Sequence, residues 1–155
     1  MDLYSLLNEL KIEYEEHIHE PVFTIEQAND IKDQLEGTGC KNIFIADKKG
    51  ENFALMIIHP EKRADLKAAA ALLDLKKPRF AKDDELMQLL HLTPGSVSPF
   101  GLINDAEHRV VVLLDSELKS LRLLFHPNDN SKTIALSCDD LMRFLSYCGN
   151  RCISL

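Results

Sequence analysis

The chain has no tryptophan, and only six glycines and six prolines in 155 residues. So few breakers exclude a collagen-like or low-complexity polypeptide. No apolar run nears the roughly 20 residues that would span a bilayer. The opening Met1-Asp2-Leu3-Tyr4-Ser5-Leu6-Leu7 lacks the basic segment and cleavage site of a secretion signal. The four cysteines (Cys40, Cys138, Cys148, Cys152) form no Cys-x-x-Cys pair. A structural zinc site needs four ligands at short paired spacings, so no metal is expected, and the thiols should stay reduced. No Gly-x-Gly-x-x-Gly follows a strand, and no Gly-x-Ser-x-Gly elbow is present. A dinucleotide fold and a serine-triad hydrolase are therefore disfavoured. The expectation is a cytoplasmic protein with no membrane segment, folded as one domain over residues 1–155.

What is present is an ordinary globular balance, 45% apolar and 28% charged. The net charge of -7 argues against a polyanion partner, but its distribution does not. Residues 1–36 hold ten acidic and two basic side chains, a net of -8, which leaves +1 for the rest. Between 41 and 82, ten Lys/Arg face five Asp/Glu. A basic middle of this kind can hold a polyanion locally, although a merely solvated surface has the same composition.

Hydrophobic spacing predicts a short helix from Asp2 through Leu10 and a strand over Ile12–His17. Thr24-Ile25-Glu26-Gln27 has capping-box spacing and predicts a helix from Thr24 to about Leu35. Lys41–Ala46 and Phe53–Ile58 read as a hairpin about Asp47-Lys48-Lys49-Gly50. Helices are expected over Arg63–Leu73 and from Asp83 or Asp84 to Leu90, with an extended link at Pro78–Ala81 between them. Strands are expected at Phe100–Ile103, Val110–Leu114, Leu121–Phe125 and Lys132–Leu136. A last helix opens at Ser137, and the tail beyond it is read as loose. Most strands follow one another through short turns, so the class is α+β with a mixed sheet.

Three polar clusters lie where apolar strands end. The first is Gly37-Thr38-Gly39-Cys40-Lys41-Asn42. The second is Thr93-Pro94-Gly95-Ser96-Val97-Ser98-Pro99-Phe100-Gly101. The third is His126-Pro127-Asn128-Asp129-Asn130. Lys41, at a strand start, offers a point charge with three donors, suited to a phosphate or a carbonyl. Gly95 permits close backbone approach. The N–H groups of Ser96, Val97 and Ser98 read as a small anion nest suited to an oxyanion, although Gly, Pro and Ser also build ordinary rigid turns. His126 is the best-placed proton shuttle or donor. His17 and His19 share a strand face, but two ligands do not make a metal site.

Together and in this order, the three clusters resemble the YbaK/prolyl-tRNA synthetase-associated domain family of aminoacyl-tRNA deacylases. The likeness is strongest to its free-standing members that hydrolyse alanyl-tRNA(Pro), and it runs from the His17–Thr24 region to the final helix. It implies a curved mixed sheet, half-open and barrel-like, flanked by helices, with a pocket beside the Gly-x-x-x-Pro loop. It also implies that Lys41 holds the terminal adenosine's phosphate or the ester. Gly95, Ser96, Val97, Ser98, Pro99 and His126 complete the catalytic set. Asn42, Thr24, Phe100, Gly101 and Asn128 would bind substrate. No metal or organic cofactor is implied. The implied partners are the acceptor end of tRNA(Pro) and prolyl-tRNA synthetase. Cysteinyl-tRNA(Pro) stays open as the substrate, as does a catalytically silent tRNA- or synthetase-binding module.

Overall fold

The computed structural model describes residues 2–19, 36–129 and 131–155. The helix expected over 24–35, and Thr24 and Asn130, lie outside them.

Helix α1 (Leu3–Glu9) starts where the Asp2 carboxylate accepts the Ser5 N–H at 2.9 Å. It buries Leu3, Leu6 and Leu7, the face its spacing predicts. The following strand, β1, is Glu15–Ile18, three residues later than expected at its start, because Ile12 is drawn into the core. β2 (Thr38–Gly39), β7 (Arg122–Phe125) and β8 (Lys132–Ser137) join it in a sheet of order β1-β8-β7-β2. The second sheet has order β5-β3-β4-β6-β9, built from β3 (Lys41–Ala46), β4 (Phe53–Ile58), β5 (Arg79–Phe80), β6 (Val110–Leu114) and β9 (Cys152–Ser154). The two sheets are separate and do not close into a barrel, so the single curved sheet expected resolves into two mixed ones.

All six residues of β4 are buried, as a strand covered on both faces requires. Its alternation divides two cores. Phe53, Leu55 and Ile57 enter the main core with Val110, Val112, Phe100 and Phe144. Ala54, Met56 and Ile58 face Ala69 and Leu75, under helix α2 (Leu66–Leu73). Helix α3 (Asp83–Leu90) is preceded by Lys82 rather than by either aspartate. The Glu85 carboxylate reaches back to the Lys82 N–H at 2.8 Å and takes Arg79 in two-point contact at 2.7 and 3.0 Å. Helix α4 (Cys138–Cys148) begins at Ser137, whose hydroxyl accepts the Asp140 N–H.

Three local expectations are corrected. Phe100–Ile103 is not a strand but part of a 3-10 run over Pro99–Asn104. Pro99 fixes a helical φ at its first position, and the Ser98 hydroxyl caps the Phe100 N–H at 3.1 Å. The link at 78–81 carries β5 on the edge of β3. The tail is not loose: Cys152–Ser154 pairs in parallel with Val112–Leu114.

Candidate active site

The first and third clusters are brought together by one short pairing. β2 runs parallel to β7 in the register Thr38↔Leu123 and Gly39↔Leu124. Beyond Gly39 the chain runs on to Lys41, the first residue of β3, and beyond Leu124 it runs on to His126, just past the end of β7. Cys40 is the step at which the chain leaves one sheet for the other. Gly37 makes this approach possible. Its φ is +148°, and a Cβ there would lie 3.0 Å from Leu124 Cδ2 and 3.1 Å from the Arg122 carbonyl.

Lys41 is exposed, and its Nζ donates to the Lys62 carbonyl at 2.7 Å. Asn42 is half-buried; its Nδ2 reaches the Cys40 carbonyl only at 3.5 Å, and its buried Oδ1 has no partner among the described residues. In the third cluster Asn128 takes a left-handed φ of 63°, and its buried Oδ1 likewise has no partner among the described residues. Buried acceptors of this kind are uncommon in native proteins and are met by a donor, whether water, a neighbouring group or a ligand. The turn around them is firm: the Asp129 carboxylate accepts both the Ser131 N–H and its hydroxyl, which holds it below the usual carboxylate range.

His126 Nδ1 lies 2.8 Å from the Lys132 carbonyl. A carbonyl only accepts, so Nδ1 carries the proton and Nε2 is left as an acceptor in the neutral ring. Burial pushes the imidazole below its ordinary value despite the raising effect of that hydrogen bond. The folded ring binds fewer protons than the unfolded one, so this contribution is present above pH 6.5 and is lost as the pH falls through the lower folded pKa. Melting temperature against pH should therefore fall more steeply below pH 6.5 in the native protein than in His126→Gln. Parallel curves would show that the ring titrates alike in both states.

The second cluster is a buried support with one exposed edge. Pro94–Ser96 forms a 3-10 turn in which the Ser96 N–H donates to the Thr93 carbonyl at 2.9 Å. That removes one of the three nest donors expected and leaves those of Val97 and Ser98. Gly95 is exposed within this right-handed turn, so it presents a bare Cα and needs no left-handed φ. Ser96 and Ser98 are both buried, and neither hydroxyl contacts a histidine among the described residues. Pro99, Phe100 and Gly101 are buried as well. Phe100 packs edge-to-face on Phe125 and Phe144, with centroids 5.9 and 5.1 Å away, and this fastens the segment beneath the strand that leads to His126. A Cβ on Gly101 would come within 2.6 Å of Leu92 Cδ1. Both residues, expected as substrate contacts, are buried in this structure.

Sequence reasoning set His19 aside, yet it belongs here. Its ring lies 6.1 Å from that of His126 and 5.8 Å from that of His17, and its Nε2 is 2.9 Å from Thr133 Oγ1. The His-x-His alternation was the available signal; the β1-β8-β7 order gives it meaning. Among the described residues, no group of three or more His, Cys, Asp or Glu side chains could hold a metal ion. No helix among them is long and apolar enough to cross a membrane.

Lys41 at the start of β3, a half-buried His126 with Nε2 left as an acceptor, and a Gly-x-x-x-Pro loop fastened through Phe100 are the groups this structure offers to a polar ligand. The comparisons with known proteins make the class specific. The aminoacyl-tRNA editing domain profile matches residues 19–144. The chain is 39% identical over 145 residues to the prolyl-tRNA editing protein ProX of Acetoanaerobium sticklandii, covering 93% of this chain and 88% of that one. It is 33% identical over 147 residues to prolyl-tRNA synthetase associated domain-containing protein 1 of Danio rerio, covering 93% and 79%. A crystal structure described as a candidate trans-editing enzyme for prolyl-tRNA synthetase superposes with a TM-score of 0.73 at 16% identity, over 99% of this chain and 93% of that one, which shows the shared fold. The chain belongs to the aminoacyl-tRNA editing domain family. It is an aminoacyl-tRNA hydrolase: editing is cleavage of the ester that joins a wrong amino acid to its tRNA.

Proposed function

We propose that this protein removes alanine from mischarged tRNA(Pro) in trans, after release from prolyl-tRNA synthetase. The reading is supported by the match to the editing domain profile over residues 19–144, by a half-buried His126 whose Nε2 is left as an acceptor, and by Asn42 Oδ1 and Asn128 Oδ1, which have no hydrogen-bond partner among the described residues. The α-ammonium of an aminoacyl ester is a donor-rich group that such acceptors suit. Lys41 supplies the positive charge for the 3′-terminal phosphate or the ester carbonyl. Water adds to the carbonyl carbon, the oxygen gains charge, and the bond to the ribose oxygen breaks as that oxygen takes a proton. The loop from Gly95 to Pro99 lies against the developing oxyanion, with Val97 and Ser98 offering backbone N–H groups. The neighbouring ribose hydroxyl assists, so no protein nucleophile is required. His126, Asn42 and Asn128 shape a pocket that excludes larger amino acids by clash. Discriminating one methylene by fit is worth only about 1–3 kcal/mol, so exclusion is the stronger sieve.

The test is a deacylation time course on alanyl-, prolyl- and cysteinyl-tRNA(Pro) beside an enzyme-free control. Rapid loss of alanine with prolyl-tRNA(Pro) intact is expected. Rapid loss of cysteine alone would move the substrate and keep the site. No acceleration on any of them would leave a tRNA-binding module.

The tRNA body needs its own contacts. Lys48, Lys49, Lys76 and Lys77, together with Asp47, Glu51 and Asp74, rim a cleft of about 340 Å³ at the far end of β3 from Lys41. At about 3.3 Å per residue, this lies on the order of 20 Å from Lys41. Replacing Lys48 and Lys76 by Ala should weaken tRNA binding and lower the slope of log affinity against log salt by about 2. An unchanged slope by filter binding would remove this cleft from the tRNA path.

A further inference from the structure

Lys41 is an exposed lysine at the end of a strand, and such a side chain has many rotamers of similar energy. Its ammonium is nevertheless directed, because Nζ donates to the Lys62 carbonyl at 2.7 Å. Where that carbonyl points depends on the turn after β4. Within the turn the Lys62 N–H donates to the His59 carbonyl at 3.0 Å, and the Glu61 N–H donates to His59 Nδ1 at 3.2 Å. The turn is fastened from outside by the Asp115 carboxylate at short range and by the Glu117 carboxylate, 3.5 Å from Lys62 Nζ. The Asp115 carboxylate, fully buried just beyond the end of β6, accepts the His59 N–H at 3.0 Å through Oδ2. Its Oδ1 accepts Lys62 Nζ at 2.7 Å and the Glu117 N–H at 3.0 Å. Burial alone would push this carboxyl up, but the lysine and the two N–H donors leave it below the usual range. It is therefore a full anion gripping both ends of the turn, 53 residues away in sequence from Lys62.

We infer that Asp115 is the positioning residue for Lys41, acting through the Lys62 side chain and backbone carbonyl. The inference rests on the reading of Lys41 given above. The ion pair sets the turn, the turn sets the Lys62 carbonyl, and the carbonyl takes one of the three ammonium protons. The other two are left aimed at substrate. Misplacing a substrate-orienting group by about 1 Å can cost on the order of a hundredfold in rate, so a second residue that fixes it has a measurable role.

The experiment is a double-mutant cycle on alanyl-tRNA(Pro) deacylation, with single-turnover rates and thermal melts of each protein. Asp115→Asn is expected to lose about tenfold in rate in the native background and nothing further in a Lys41→Ala background. Lys62→Met, which alters the more exposed partner of the pair, guards against an Asp115→Asn protein that fails to fold. It should show the same pattern, and Lys62→Arg should restore the rate. Losses that multiply with that of Lys41→Ala, or Asp115→Asn and Lys62→Met proteins as fast as the native one, overturn the inference while leaving Lys41 in place. A Lys41→Ala protein as active as the native one removes the reading of Lys41 itself, and this inference with it.

Discussion

Lys41→Ala should lower deacylation of alanyl-tRNA(Pro) by about a hundredfold or more, the range seen when one preorganised charge-stabilising donor is removed. The fold should be unaffected. Lys41 is exposed, its ammonium donates to a backbone carbonyl, and among the described residues its side chain joins neither core. Melting temperature should therefore stay within the small range of surface substitutions. The two measurements together separate chemistry from folding. A lysine that grips the 3′-terminal phosphate would raise KM when removed, whereas one that polarises the ester would lower kcat at similar KM. Arg in its place should rescue only the first role, because a planar guanidinium matches a phosphate but cannot reproduce a compact ammonium against one carbonyl. A folded Lys41→Ala protein with native rates would take Lys41 out of the mechanism.

The parts of this site that were legible in the sequence are those governed by short-range rules. Asp2 and Ser137 cap helices through contacts three residues on, and both were readable. The apolar runs of β4 and β6 announced strands, and their central places in the sheet account for their burial. The Gly37–Asn42 and His126–Asn130 clusters marked strand ends correctly, and the β2–β7 pairing brings those ends together. Long-range geometry was not legible. Nothing near Lys41 in sequence announces Lys62, and nothing near Lys62 announces Asp115. Both contacts arise because β3, β4 and β6 are neighbours in one sheet. Phe100-Gly101-Leu102-Ile103 misled for a different reason: four apolar residues fit a strand or a helical turn equally well. The decision came from Pro99 and the Ser98 cap, together with a space at Gly101 that admits no Cβ.

That same segment supplies the largest expected effect on stability. Phe100 is fully buried, with Phe125 and Phe144 set edge-to-face against it. Phe100→Ala should cost about 3–5 kcal/mol by chemical denaturation, from lost transfer energy and an unfilled cavity. Phe100→Leu, which keeps most of the volume but loses the ring contacts, should cost about 1–2 kcal/mol. The pair of variants also tests the assignment of this residue. If Phe100 acts by packing, a folded Phe100→Leu protein keeps its KM for alanyl-tRNA(Pro), and any fall in rate follows the loss of folded protein. If the ring touches the substrate, KM rises at temperatures where the variant is fully folded. The geometry favours the first outcome, because Phe125 covers one face of the segment and also ends the strand that delivers His126. Loosening Phe100 would then act on the third cluster through Phe125, and the His126 contribution to the pH dependence of stability should weaken in step with the packing.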